Sequence, residues 1–269
     1  GYNVPTSDRK ELHNLLSGWE VDGNDPVMYK TYPTLSESYV ISVVSPAIYR
    51  NTGFTSLTLP SGNFHGVDDI EDRFRAAVDI VERDGGVVYL YVPELDQVGH
   101  RLGAGSSEWL ATLEEIDGAA KHLQGLRRSI AILTADHGMV NVGPEGQIHL
   151  ETLESFNSVD FIAGGDTRSS LIYLRGEKAS SQHEVDGLRN RVGEELRGLA
   201  WCASWEELET AGWVASGLPI EKQPDIVLLA SASVTLYDRR TCKPRSLLMR
   251  GHHGSITDAE TQVPLIRLS

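Results

Sequence analysis

Five side chains in this sequence have the types and spacing to do chemistry together. Asp96 and His100 stand four apart in "PELDQVGH", Asp136 and His137 are adjacent in "TADHGM", and His253 lies in the glycine-flanked "RGHHGS". If the loop holding the first pair begins a helical turn, both side chains project from one face. In a loop, adjacent Asp136 and His137 address neighbouring positions. Glycines around His253 let the backbone bend to bring its imidazole inward, with His252 expected behind it, aiming it, or facing solvent. Carboxylate oxygen with imidazole nitrogen suits Zn2+, with Mn2+ or Fe compatible, whereas an all-oxygen set would favour Mg2+ or Ca2+. Five such ligands suffice for more than one ion. Two ions about 4 Å apart would activate a nucleophile, orient phosphate oxygens and stabilise charge on attacking and leaving oxygens, which is phosphoryl-transfer chemistry.

These residues need a scaffold, and the flanking patterns supply one. "SYVISVVSP" reads as a strand stopped by Pro46, and Ile70, Phe74, Ala77, Val78 and Val81 fall at helical spacing between a capping Asp and Gly85-Gly86. "VVYLYV" (87–92) is apolar without alternation, as in a parallel strand covered on both faces, and "SIAILTA" is expected as its partner. Between them a helix from about Ser107 to Gln124 carries Leu110, Leu113, Ile116, Ala120 and Leu123 on one face, with Ser106 or Ser107 as its cap. Strand, helix, strand is a βαβ unit, whose functional groups collect outside the carboxyl ends of the strands. Both acid-plus-histidine pairs are predicted at that edge.

The 269 residues, 40% of them hydrophobic, can bury a substantial core. A formal charge of −14 disfavours a nucleic-acid surface or an anionic membrane, so a phosphate substrate must find local positive charge, which bound divalent ions would supply. Two cysteines, Cys202 and Cys242, make no disulfide framework or zinc-thiolate pattern and point to a reducing, cytoplasmic setting. No run reaches the roughly 18 to 20 apolar residues of a membrane span, and no signal peptide is visible at the start.

The run "YVPELDQVGHRLGAGSSEWLATLEEIDGA", followed by "ILTADHGM" and then "GHHGS", resembles the type I phosphodiesterase and nucleotide pyrophosphatase branch of the alkaline phosphatase superfamily. The likeness covers roughly residues 38 to 269 and is strongest from 87 to 141. It implies an α/β fold with a mostly parallel sheet, helices on both faces and a small inserted α+β subdomain. Residues 1–150 and 246–269 would form the catalytic domain and 151–245 the insertion, where "SSLIYLR", a helix bearing Val185, Leu188, Val192 and Leu196, and "DIVLLASASVTLYD" follow one another.

By the same resemblance, Asp96, His100 and His253 match the ligands of one zinc ion, and Asp136 and His137 match two ligands of a second. The family's remaining aspartate and its Thr or Ser nucleophile have no counterpart, since Asp22 and Gly23 in "EVDGN" follow no apolar strand. The chain is therefore expected to be a fragment, with its catalytic nucleophile and amino-terminal segment outside it. The implied activity is two-zinc hydrolysis of phosphodiester or pyrophosphate bonds in a small phosphate ester or nucleotide. Two alternatives stay open: a phosphomonoesterase or phosphotransferase of the same superfamily, and a non-catalytic zinc-binding fragment or pseudoenzyme. Arg168 is expected to face substrate or to form a structural salt bridge, and Trp201, Trp205 and Trp213 to fill the subdomain core.

Overall fold

A computed structural model describes residues 3–6, 8–14, 33–59, 62–176, 181–218 and 220–269. "EVDGN", with Asp22 and Gly23, lies outside the described residues. In chain order come strands β1 (Asn3–Pro5), β2 (Leu12–Asn14) and β3 (Ile41–Ser45), helix α1 (Gly53–Thr58), strand β4 (Asn63–Gly66), helix α2 (Ile70–Asp84) and strand β5 (Val87–Leu90). Helices α3 (Glu94–Leu102) and α4 (Ser107–Ala120) precede strands β6 (Ile132–Thr134), β7 (Val140–Asn141), β8 (Gln147–His149), β9 (Phe161–Gly165) and β10 (Ser169–Leu174). Helix α5 (Gln182–Glu195), strand β11 (Ala200–Ala203), helix α6 (Trp205–Thr210) and strands β12 (Ile226–Ala230), β13 (Thr235–Tyr237) and β14 (Gly251–His252) follow, then helix α7 (Asp258–Thr261) and strand β15 (Leu265–Arg267). The elements fall into two compact units, Tyr32–Asp136 with Val263–Ser269, and Gly1–Thr31 with His137–Gln262.

In the unit built on Tyr32–Asp136, β3 is the middle strand, parallel to both β4 and β5. All five of its residues, Ile41, Val43 and Val44 with Ser42 and Ser45, are buried, as in a central parallel strand. Helix α2 lies against it through Ala77 and Ile80, which pack with Val44, while Ile70 and Phe74 meet Ala119 of α4. The Asp69 carboxylate accepts from the Asp72 amide at the start of α2, and Gly85 takes a positive φ at its end. Both terminators are the ones the sequence places there.

Three expectations fail in this unit for one reason. Strand β5 pairs with β3, and β6 pairs antiparallel with β15, so among the described residues the predicted β5–β6 partnership is absent. Val87 and Tyr89 are consequently exposed rather than covered, as are Ile130 and Ile132. On α4, Leu110 and Leu113 are exposed as well; Ala119 is buried, Ile116 and Ala120 are partly buried, and Leu123 packs beside them just past the helix end. The apolar runs encode two-sided burial, and the described neighbours cover one side.

The other unit carries a six-stranded antiparallel sheet, ordered β11-β12-β10-β9-β1-β2. Alternation decides its two faces. Ile172, Leu174, Ile226 and Leu228 point toward α5, whose Val185, Leu188 and Val192 sit at helical spacing, and Leu150, Phe156 and Phe161 complete that core. Leu171, Tyr173, Val227 and Leu229 form the opposite face with Ile162 and Leu208. Two short ladders complete the unit: β8 runs parallel to β13, and β7 pairs antiparallel with β14, joining Val140 to His252. The fold is the mixed α/β one expected. Its parallel pairs are β4-β3-β5 and β8-β13 among the described residues.

Candidate functional site

Asp96 and His100 lie on α3, and the helical turn brings the Asp96 carboxylate to within 3.4 Å of the His100 Nε2. Glu94 and Asp96 occupy the first turn, where the helix dipole favours negative charge, and His100 with Arg101 occupy the last. Helix α3 is otherwise weakly secured: Pro93 at its N-cap offers no side-chain bond, and Gly99 is its one buried residue. What holds its start is Arg73. This fully buried side chain of α2 donates from Nη1 to the Tyr91 carbonyl at 2.8 Å and from Nη2 to the Asp68 carbonyl at 3.2 Å, and it pairs with the Glu94 carboxylate.

Asp136 follows β6 as Asp96 follows β5, and their effects meet at one hydroxyl. Burial, then Tyr49, then the Asp136 and Asp96 carboxylates push the Tyr91 phenol well above its usual range. Tyr49 stands edge-on to Tyr91, 5.7 Å between ring centres, and its hydroxyl accepts from the Gln97 amide at 3.2 Å. Both carboxylates act on that phenol, Asp136 from the loop after β6 and Asp96 from α3 after β5. Such a field attracts a cation.

In the other unit, His137 and His253 meet face to face, ring centres 3.5 Å apart and planes within 11°. His137 Nδ1 lies 2.9 Å from the Gly138 carbonyl, and an Nδ1–H donated there leaves the Nε2 lone pair for a ligand. The next residue has to be glycine, because a Cβ at Gly138 would stand 2.1 Å from the Ala259 carbonyl oxygen.

The two histidine loops share one anchor, Glu260. Its backbone carbonyl accepts from the Gly138 amide at 2.8 Å, and its carboxylate accepts from the Ser255 amide at 3.0 Å and from the Thr257 hydroxyl at 2.5 Å. Arg168 grips the same carboxylate with both arms, Nε at 3.0 Å and Nη2 at 2.6 Å, and its Nη1 donates to the Val234 carbonyl at 2.7 Å. Both partners are buried. Burial works to raise the Glu260 carboxyl, yet the bonds from Arg168, Thr257 and Ser255 outweigh it and hold the group below its usual range.

The remaining candidates resolve plainly. Of the two roles expected for Arg168, the structure gives the salt bridge. His252 is buried instead of solvent-facing, its Nδ1 3.0 Å from the Thr167 hydroxyl and its ring edge-on to Tyr237. His65 and His149 lie on β4 and β8. Trp201 and Trp213 are exposed and do not build the core. Cys202 and Cys242 are free thiols, and burial pushes Cys202 up to about 12, which suits neither thiolate ligation nor redox work. Reading the sequence missed Arg73 and Glu94. A signal existed, since Arg73 interrupts the apolar stripe of α2 between Ile70 and Ala77.

A model of the type I phosphodiesterase / nucleotide pyrophosphatase family matches residues 8–256. No curated protein sequence matches the chain. Among solved structures, human ectonucleotide pyrophosphatase / phosphodiesterase 5 is similar at 12% identity and a TM-score of 0.66, covering 99% of this chain and 70% of that one. An inactive variant of the murine protein, in complex with AMP, is similar at 12% identity and a TM-score of 0.67, covering 98% of this chain and 70% of that one. At that identity the likeness speaks for the fold.

Two outcomes follow from the histidine anchor. Gly138→Ala is expected to cost about 1–3 kcal/mol in urea unfolding, because the methyl group and the Ala259 carbonyl cannot share one place. Glu260, depressed when folded, contributes stability that is complete above the ordinary glutamate pKa of about 4.3 and is lost as pH falls through its lower folded value. Unfolding free energies measured from pH 6 downward should therefore fall less steeply in Glu260→Gln, from a lower starting stability.

Proposed function

The chain belongs to the type I phosphodiesterase / nucleotide pyrophosphatase family, and from that premise we propose that it is the metal-binding part of a hydrolase of phosphodiester or pyrophosphate bonds. Zn2+ is the proposed ion, two per intact enzyme, with Mn2+ an alternative. Asp96, His100 and His253 would hold one, and Asp136 and His137 would contribute to the second. The observation that carries the proposal is the donor set itself. Asp96, His137 and His253 have the carboxylate and imidazole groups that suit a borderline-soft divalent ion, and within each unit the donors lie side by side.

Bound ions would supply the Lewis acidity and positive charge that a chain of net charge −14 lacks toward phosphate. The chain's own residues have a different task, which is to hold oxygen and nitrogen donors still. Arg73 fixes the start of α3, Glu260 fixes both histidine loops, and the Gly138 carbonyl orients the His137 ring. The proposed nucleophile is a Thr or Ser outside residues 1–269. The proposed substrate is a small phosphate ester, with a nucleotide favoured because the murine relative was captured with AMP.

Full-length protein loaded with zinc should cleave a nitrophenyl phosphodiester faster than the matching monoester. Asp96→Ala and His253→Ala should each lower the diester rate more than about 100-fold, beyond what loss of a supporting contact does. A preference for the monoester would move the assignment to the phosphomonoesterases. Rates unaffected by either substitution would remove the metal reading altogether.

A further inference from the structure

We propose that Arg73 is a positioning residue for the metal ligands of α3, acting through Glu94, a role that rests on the metal reading of Asp96 and His100. Arg73 lies on a different helix from the ligands, and nothing in the ligand motif points to it. The case is geometric. A nine-residue helix with one buried residue and no side-chain N-cap derives little of its placement from hydrophobic contact or capping. Its amino end must be fixed by something else.

The Arg73 fork meets that need from three directions. Nη1 takes the Tyr91 carbonyl, one residue past the end of β5, at 2.8 Å. Nη2 takes the Asp68 carbonyl at 3.2 Å and pairs with the Glu94 carboxylate, and Nε lies 3.3 Å from the Asp69 carbonyl. One planar cation thus ties the entry to α2, the exit of β5 and the first residue of α3 into one piece. Asp96 is two residues beyond Glu94, and His100 is one turn farther along the same face. A shift or tilt at Glu94 moves both donors together. The fork shape is needed here as well as the charge, since an ammonium cannot reach all of these acceptors in their plane.

Burial distinguishes this pair from a surface salt bridge. Arg73 is 0% exposed, so removing Glu94 alone would strand a buried cation and unfold the region for reasons unrelated to metal. Replacing both partners by apolar residues avoids the stranded charge, and since the Tyr91 and Asp68 carbonyls then lose their donor, stability is followed beside metal affinity.

The test uses full-length protein and zinc competed against a chromophoric chelator, with visible absorption of the cobalt-substituted protein as a second readout. Asp96→Ala defines the zinc equivalent that α3 holds. In the double variant Arg73→Met with Glu94→Leu, that equivalent should weaken by about 10- to 100-fold, with an altered cobalt spectrum, in a protein that still unfolds cooperatively at a lowered thermal midpoint. Arg73→Lys should weaken the same equivalent and fail to restore the spectrum, and it decides the matter if the double variant does not fold. Zinc affinity within twofold of wild type in a folded double variant, or full rescue by Lys, would overturn the positioning role while leaving the metal reading intact. Zinc binding indifferent to Asp96→Ala would instead overturn the metal reading, and this proposal with it.

Discussion

Imidazoles and carboxylates on short segments have to be held still by something other than hydrophobic burial, and in both units the device is a buried arginine facing a glutamate. Arg168 and Glu260 do this behind the histidine loops, and Arg73 and Glu94 do it behind α3. Breaking such a pair by losing one partner costs on the order of 3–5 kcal/mol, while exchanging both for apolar residues is often neutral. Stability alone is therefore weak grounds for keeping them. Geometry is a better one, because each guanidinium satisfies several backbone carbonyls that an apolar side chain would leave unpaired.

Glu260 shows how much one side chain can organise. Its carboxylate receives Arg168, Thr257 and the Ser255 amide, and its carbonyl receives the Gly138 amide. The segment after His253 and the segment after His137 are thereby tied to one residue, and the two rings come to lie in parallel. Gly138 is part of the same arrangement, since any larger residue would collide with the chain that carries Glu260. An acidic chain also gains from this layout in a second way. The carboxylates of Asp96 and Asp136 are set where their fields reinforce each other at Tyr91, and cations would relieve the repulsion between them.

Much of this was legible in the residues. Helical spacing from Ile70 to Val81, the capping Asp before it, and the Asp-x-x-x-His spacing of α3 were readable because each depends on neighbours a few positions away. The family resemblance was legible for a different reason: three motifs in one order are far more specific than any of them singly, and the family match over residues 8–256 bears that out. Pairings over long sequence distances were harder. The antiparallel partnership of β6 with β15 joins residues 132–134 to 265–267, and no local pattern announces it. The exposure of Leu110, Leu113 and Tyr89 was hidden for the converse reason, since an apolar side chain states a preference for burial and does not name what buries it. Arg73 and Arg168 were the subtlest, because a buried arginine is recognised by its distant carboxylate.

The central claim, that carboxylates and imidazoles from both units serve bound divalent ions, is tested most directly by anomalous X-ray scattering at the zinc edge from zinc-loaded crystals of the full-length protein. The account predicts one peak roughly 2.0–2.2 Å from donor atoms of Asp96, His100 and His253, and a second at like distances from Asp136 and His137. Zinc bound elsewhere, or no zinc on these five side chains at saturating metal, would contradict it.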